Sequence, residues 1–80
     1  MENKLDFSKE AKNLKPGIYE HYKGNKYKVI GVGWHSETFE ELVIYQAQYG
    51  NFGIWMRPLK IFIEKVIFNK KEVSRFKFID

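Results

Sequence analysis

From Pro16 onward the chain is a succession of short runs rich in Tyr, Phe, Trp, Val and Ile, each cut off by a turn signal. Such residues suit a pleated, half-buried surface, and frequent turns argue against a helical bundle or a parallel α/β sheet. Ile18 to Lys23 is the first run, closed by Gly24-Asn25, and Lys26 to Trp34 is the second. Two residues of the Gly-Asn type between strand-like runs predict a tight hairpin. A two-residue loop sets Tyr22 opposite Tyr27 and His21 opposite Lys28. It also puts Tyr27, Val29 and Gly31 on the face of Ile18 and Tyr22. Near Gly31 and Gly33 the apolar set shifts to Ile30, Val32 and Trp34, so a bulge or bend is expected there.

His35 to Glu41 reads as a polar loop, and Leu42 to Tyr49 as the clearest strand. Val43, Tyr45, Ala47 and Tyr49 fall on one face, with Gln46 and Gln48 on the other. Gly50-Asn51 is a second turn signal, followed by a short strand from Gly53 to Arg57 that Pro58 halts. Between Pro58 and Val66 the residues Leu59, Phe62 and Val66 fit a helical stripe, while Ile61, Ile63 and Lys65 alternate. The reading adopted is one turn of 3₁₀ or α-helix feeding a short strand, with Phe62 in the core. Asn69-Lys70-Lys71 makes a turn, and Val73 to Ile79 is the last strand, paired with an early one. About five strands joined by tight turns predict a mainly-β, closed or nearly closed small barrel over residues 16–80, since closure removes exposed edges. Residues 1–15 form a polar extension. Phe7, Ala11 and Leu14 recur at helical spacing, which fits a short helix from Ser8 to Leu14 with Ser8 as N-cap.

Eighty residues make one domain, and aromatics at 18% of the chain let a small core bury much area per side chain. The absence of cysteine excludes disulfides, thiolate zinc sites and a cysteine nucleophile, and fits a reducing, cytoplasmic setting. Met1 to Asp6 lacks the apolar run of a signal peptide, and no stretch approaches the ~20 apolar residues of a membrane helix. The net charge of +4 is spread along the chain, its largest share lying in residues 69–80. A nucleic-acid footprint is more often a concentrated stripe.

Several blocks occur in an order that resembles a mostly bacterial family, domain of unknown function 1653. They are Pro16-Gly17-Ile18-Tyr19-Glu20-His21-Tyr22-Lys23-Gly24 with Tyr27-Lys28-Val29, and His35-Ser36-Glu37-Thr38 with Glu40-Glu41. Val43-Ile44-Tyr45 with Tyr49, Trp55-Met56-Arg57-Pro58, Phe62, Val66 and Arg75-Phe76 complete the set. The resemblance covers residues 16 to about 78. It implies an SH3-like barrel and carries no activity with it. Trp34 stands before His35 where the family often has a smaller residue.

The aromatic set is the most suggestive feature. Tyr19, Tyr22, Tyr45, Tyr49, Trp34 and Trp55, added to seven Phe, exceed what such a core can fully bury, so some lie at the surface. SH3-like barrels use rim aromatics to hold peptides, methylated side chains or bases. Arg57 near Trp55, and Arg75 beside Phe76, add forks for a carboxylate or phosphate. The competing reading pairs Arg57 with a loop glutamate inside the fold. The leading expectation is therefore a binding module for a peptide or protein partner through His21, Tyr45, Trp55 and Arg57. The alternative is a nucleic-acid-binding accessory domain using Lys23, Lys26, Lys28, Lys70, Lys71 and Arg75. A small-ligand or metal-dependent enzyme on His21, His35 and Glu37 comes third. The histidine spacing matches no helical zinc motif, and His35-Ser36-Glu37 are too close in sequence to build a hydrolytic triad. No catalytic residue is assigned and no cofactor is expected. Glu37, Glu40 and Glu41 read as a solvated acidic loop or as a weak cation site.

Overall fold

The computed structural model describes residues 5–80. Among them the chain forms α1 (Lys9–Asn13), β1 (Gly17–His21), β2 (Lys26–Trp34), β3 (Glu41–Ala47), β4 (Ile54–Pro58), α2 (Leu59–Phe62), β5 (Lys65–Phe68), β6 (Lys71–Ser74) and β7 (Phe76–Phe78). Five strands make an antiparallel sheet in the order β4-β3-β2-β1-β7, and β5-β6 is a separate hairpin. The fold is mainly β, as the turn rhythm implies. The ladder does not close, however, and β4 and β7 remain the two edges of the sheet.

The first hairpin differs from the two-residue loop expected. Gly17 pairs with Val29, Ile18 with Lys28, Tyr19 with Tyr27 and Glu20 with Lys26. The Gly24 amide donates to the His21 carbonyl at 2.7 Å, and the His21 amide donates to the Asn25 carbonyl at 2.8 Å. The loop is therefore Tyr22, Lys23 and Gly24, with Gly24 at φ 110°. Such a three-residue loop needs a glycine at its left-handed last position. Relative to the expected register the strand slips by an odd number of residues, which turns it over. Tyr19 and His21, rather than Ile18 and Tyr22, share a face with Tyr27 and Val29.

The bulge expected near the paired glycines lies between Val29 and Gly31, leaving Ile30 unpaired on the outer surface. It resets the alternation so that Val32 pairs with Val43 and Trp34 with Glu41. One face of the curled sheet then carries Tyr19, Val29, Val43, Tyr45, Ala47 and Phe76, all buried. The single turn of α2 lays Leu59 and Phe62 on this face, and α1 adds Ala11. Phe62 is stacked on Phe76 with centroids 4.1 Å apart and rings 5° from parallel, and its centroid lies 5.4 Å from that of Tyr45.

Ser8 caps α1 as expected, its hydroxyl accepting from the Ala11 amide at 3.1 Å. Glu41 fixes that cap to the sheet, accepting from the Ser8 amide at 2.6 Å and the Ser8 hydroxyl at 2.7 Å. Phe7 stacks on Trp34 with centroids 4.0 Å apart. The extension is thus clamped over one end of the inner face. Glu41 is the carboxylate that holds it, so it is not part of a free acidic loop.

The last segment is not one strand. Asn69 and Lys70 both adopt positive φ, 54° and 64°, and turn β5 directly into β6. The chain then breaks at Arg75, whose amide donates to the Glu64 carbonyl at 3.1 Å. Only β7 reaches the early strand β1, pairing His21 with Phe76 and Tyr19 with Phe78.

Candidate functional site

Four elements bring polar and aromatic groups to the end of the inner face that the extension leaves uncovered. β1 supplies His21, β2 supplies Tyr27, β3 supplies Tyr45, and β4 supplies Trp55 and Arg57. Tyr45 lies opposite Trp55, and Val43 opposite Arg57, so alternation puts both β4 side chains on the Tyr45 face. Tyr45 is 3% exposed whereas Trp55 is 56% exposed. The four residues proposed from sequence therefore gather on one face, but Tyr45 acts as its floor and Trp55 as its rim.

The Arg57 guanidinium sits 5.7 Å from the Phe76 ring centroid, and its Nε donates to the Tyr45 hydroxyl at 3.1 Å. The ion pairs of the described residues are Lys12 with Asp6 and Arg75 with Glu64. Arg57 is thus held by an aromatic floor and a phenol and not, among the described residues, by the loop glutamate of the competing reading. Arg75 joins Glu64 at 3.0 Å, and its Nε is buried without a hydrogen-bond partner.

Tyr27 is the residue that sequence reasoning left out of the site. Its ring meets Tyr45 at 5.4 Å, Phe76 at 5.6 Å and His21 at 6.5 Å. Its hydroxyl lies 2.7 Å from that of Tyr49. Burial, followed by the hydrogen bond with Tyr49, pushes the Tyr27 phenol up to about 12. The signal was present in the alternation of Tyr27 with Val29, and the β2–β3 register, with Tyr27 opposite Ala47 and Val29 opposite Tyr45, puts it beside Tyr45. Phe76 was equally hidden, because its place depends on β7 returning to β1.

His21 packs edge-on against Phe76 at 4.9 Å, and its Nδ1 accepts from the Lys23 amide at 3.1 Å. The neutral ring therefore carries its proton on Nε2. Burial, and then the charges of Arg57, Arg75 and Lys23, hold its pKa below the ordinary 6.5. The same charges disfavour a second proton on His21, whose ring lies beside Phe76 on the inner face.

His35 is far from His21. The two flank the nine-residue strand β2 at opposite ends, roughly 30 Å along an extended chain. The Nδ1 of His35 accepts from the amides of Glu37 and Thr38 at 3.1 and 3.2 Å, which shapes its turn. His21, His35 and Glu37 are not brought together, and no group of three metal-ligating side chains occurs among the described residues.

Tyr22, next to Lys23, packs edge-on against Phe68 at 5.3 Å, at the end of β5 before Lys70 and Lys71. A concavity of about 290 Å³ beside this contact is walled by His21, Tyr22 and Phe68 with the opposite charges of Glu20 and Lys77, and by none of Lys23, Lys70 and Lys71. Lys26 and Lys28 project from the other face of the sheet, opposite Glu20 and Ile18. A larger concavity of about 590 Å³ lies near Trp34, Phe39 and Glu41. Tyr45, Trp55 and Arg57 line none of these concavities, so their surface is an exposed face rather than a cleft.

This is a small antiparallel β domain with an aromatic inner face and no helix among the described residues long and apolar enough to cross a membrane. The profile of the family of proteins of unknown function DUF1653 matches residues 17–78, and the chain belongs to that family. It is similar to a crystal structure of a protein belonging to DUF1653 from Bordetella bronchiseptica. The TM-score is 0.80 at 32% identity, over 86% of this chain and 91% of that one. A search of curated proteins returns no match.

Proposed function

We propose that the domain is a binding module for a peptide or protein partner, which it engages through Trp55 and Arg57 with His21, Tyr27 and Tyr45 behind them. The observation that carries this reading is Arg57. Its Nε is engaged by Tyr45 and its plane rests near Phe76, while no described carboxylate neutralises it. A preoriented guanidinium beside an exposed indole suits a carboxylate next to an apolar group. The SH3-like reading is favoured by the curl of the sheet, which brings Phe76 of edge β7 to Arg57 of edge β4. The test is selection of a displayed random peptide library on the parent protein. Enriched peptides should lose binding to Trp55→Ala and to Arg57→Gln, both still folded. Enriched peptides that bind both variants as well as the parent overturn the reading.

The nucleic-acid alternative has one observation of its own: the contact of Tyr22 with Phe68 joins the loop that holds Lys23 to the strand end that precedes Lys70 and Lys71. It requires tight, salt-sensitive binding, because neutralised phosphates release counterions. Oligonucleotide affinity is expected no better than the ~10⁻⁴–10⁻⁶ M of non-specific contacts at physiological salt. Submicromolar affinity, lost in a triple Gln variant at Lys23, Lys70 and Lys71, would promote this alternative.

A further inference from the structure

The edge strand β4 leaves part of its backbone unpaired. Its backbone alternates between two directions. The Ala47 amide donates to the Gly53 carbonyl at 2.9 Å. With the pairs Tyr45 to Trp55 and Val43 to Arg57, this phase directs the backbone groups of Gly53, Trp55 and Arg57 at β3. The amides and carbonyls of Ile54 and Met56 therefore point away from the sheet, where no described strand pairs with them. Pro58, which has no amide to offer, falls in that same outward phase, the position where an edge strand tolerates proline.

Edge strands are normally protected by lysines, prolines, inward charges or bulges, and Arg57 and Pro58 protect the end of β4 that they occupy. Ile54, Trp55 and Met56 carry none of these and are 57%, 56% and 65% exposed. The side chains next to the open ladder have a definite chemistry. Trp55 and Arg57 flank it on the inner face, and Ile54 and Met56 on the outer. A second copy of this strand would leave the cation unanswered, because Ile54–Pro58 contains no acid.

The geometry points to strand addition: β4 accepts an antiparallel peptide strand with a glutamate beside Arg57 and a large apolar side chain beside Trp55. This deepens the binding-module reading and rests on it. The outward groups of Ile54 and Met56 supply main-chain affinity, and the alternating side chains supply selectivity. Antiparallel alignment reverses the order, so the glutamate precedes the apolar residue by two positions. The residue between them faces Met56, the one after the apolar residue faces Ile54, and both are apolar as well.

The probe is the capped peptide acetyl-Thr-Val-Glu-Val-Phe-Val-Thr-amide, titrated into the full chain and followed by amide exchange. Strand addition predicts slower exchange at the Ile54 and Met56 amides. It also predicts at least tenfold weaker binding when the glutamate of the probe becomes glutamine. Met56→Pro should lose binding, because it removes an outward amide while leaving Trp55 and Arg57 in place. Should that variant fail to fold, a probe N-methylated at the valines facing Met56 and Ile54 makes the same test on the parent. Binding that survives both changes but is lost in Arg57→Gln overturns strand addition and leaves the inner-face reading standing. Binding indifferent to Trp55→Ala and Arg57→Gln overturns both. No binding at millimolar probe, or a dimer that Met56→Pro dissociates, overturns the peptide as occupant of this edge.

Discussion

Removing Phe62 should come close to unfolding the domain, whereas removing the larger ring of Trp55 should scarcely be felt. Phe62 is 1% exposed, stacked on Phe76 and in contact distance of the Tyr19 and Tyr45 rings. An aromatic side chain buries ~150–250 Å². At about 25 cal/mol per Å² this is worth roughly 4–6 kcal/mol as an upper bound. Measured Phe→Ala changes in cores cost ~3–5 kcal/mol, which is the value expected here. A chain of this length has a total stability of roughly 4–12 kcal/mol. Phe62→Ala therefore removes a quarter or more of it, a fall in Tm of about 12–40 °C. Trp55 is 56% exposed, and Trp55→Ala should cost under about 1 kcal/mol. Urea and thermal denaturation by far-UV circular dichroism measures both. If Phe62→Ala melts within a few degrees of the parent, α2 does not plug the inner face and the placement of the core is refuted. If Trp55→Ala melts as low as Phe62→Ala, Trp55 is structural and is not available to a partner.

Ser8→Ala should cost about 1 kcal/mol, since it removes both the cap on Ala11 and the hydroxyl held by Glu41; an unchanged Tm means the extension contributes no stability. His21 binds a proton less readily in the folded chain than in the unfolded one, because burial and then Arg57, Arg75 and Lys23 lower its pKa. Its contribution is fully present above about pH 6.5 and declines as pH falls below that toward the folded value. Melting curves of the parent and His21→Gln across that window should differ in slope, and identical slopes refute the assignment. Lys70→Gly should stabilise by about 1 kcal/mol, because a side chain at φ 64° is strained where glycine is not; a lower Tm would show that the turn is not of this type.

Local signals located most of the architecture. Val43, Tyr45 and Ala47 alternate cleanly enough to fix their strand, Ser8 announces its helix, Pro58 stops β4, and the paired glycines mark the bulge. What escaped was decided by single turn residues. Gly24 serves as the left-handed third residue of a longer loop rather than the first of a tight pair, and that choice inverts the face of β1. The turn at Asn69-Lys70-Lys71 is legible, but nothing in the composition marks the break at Arg75 that divides the expected strand Val73 to Ile79 into β6 and β7. The candidate site inherits both errors. Trp55, Arg57 and Tyr45 could be grouped because their strands are neighbours in sequence with a short turn between them. Tyr27 and Phe76 could not, because their contacts depend on the β2–β3 register and on the return of β7 to β1. The contact of Tyr22 with Phe68, which joins the first loop to β5, was likewise invisible in the sequence because it links segments far apart in the chain.

The central claim is that partners engage the inner face at Trp55 and Arg57. Side-chain nuclear magnetic resonance tests it most directly, through the Trp55 indole Nε1–H and the Arg57 Nε–H signals during titration with the heptapeptide probe. Both signals should move together and saturate at one affinity, with the amides of Lys23, Lys70 and Lys71 unmoved. Perturbations centred on Tyr22, Lys23, Phe68 and Lys70, with Trp55 and Arg57 unshifted at saturation, would contradict it.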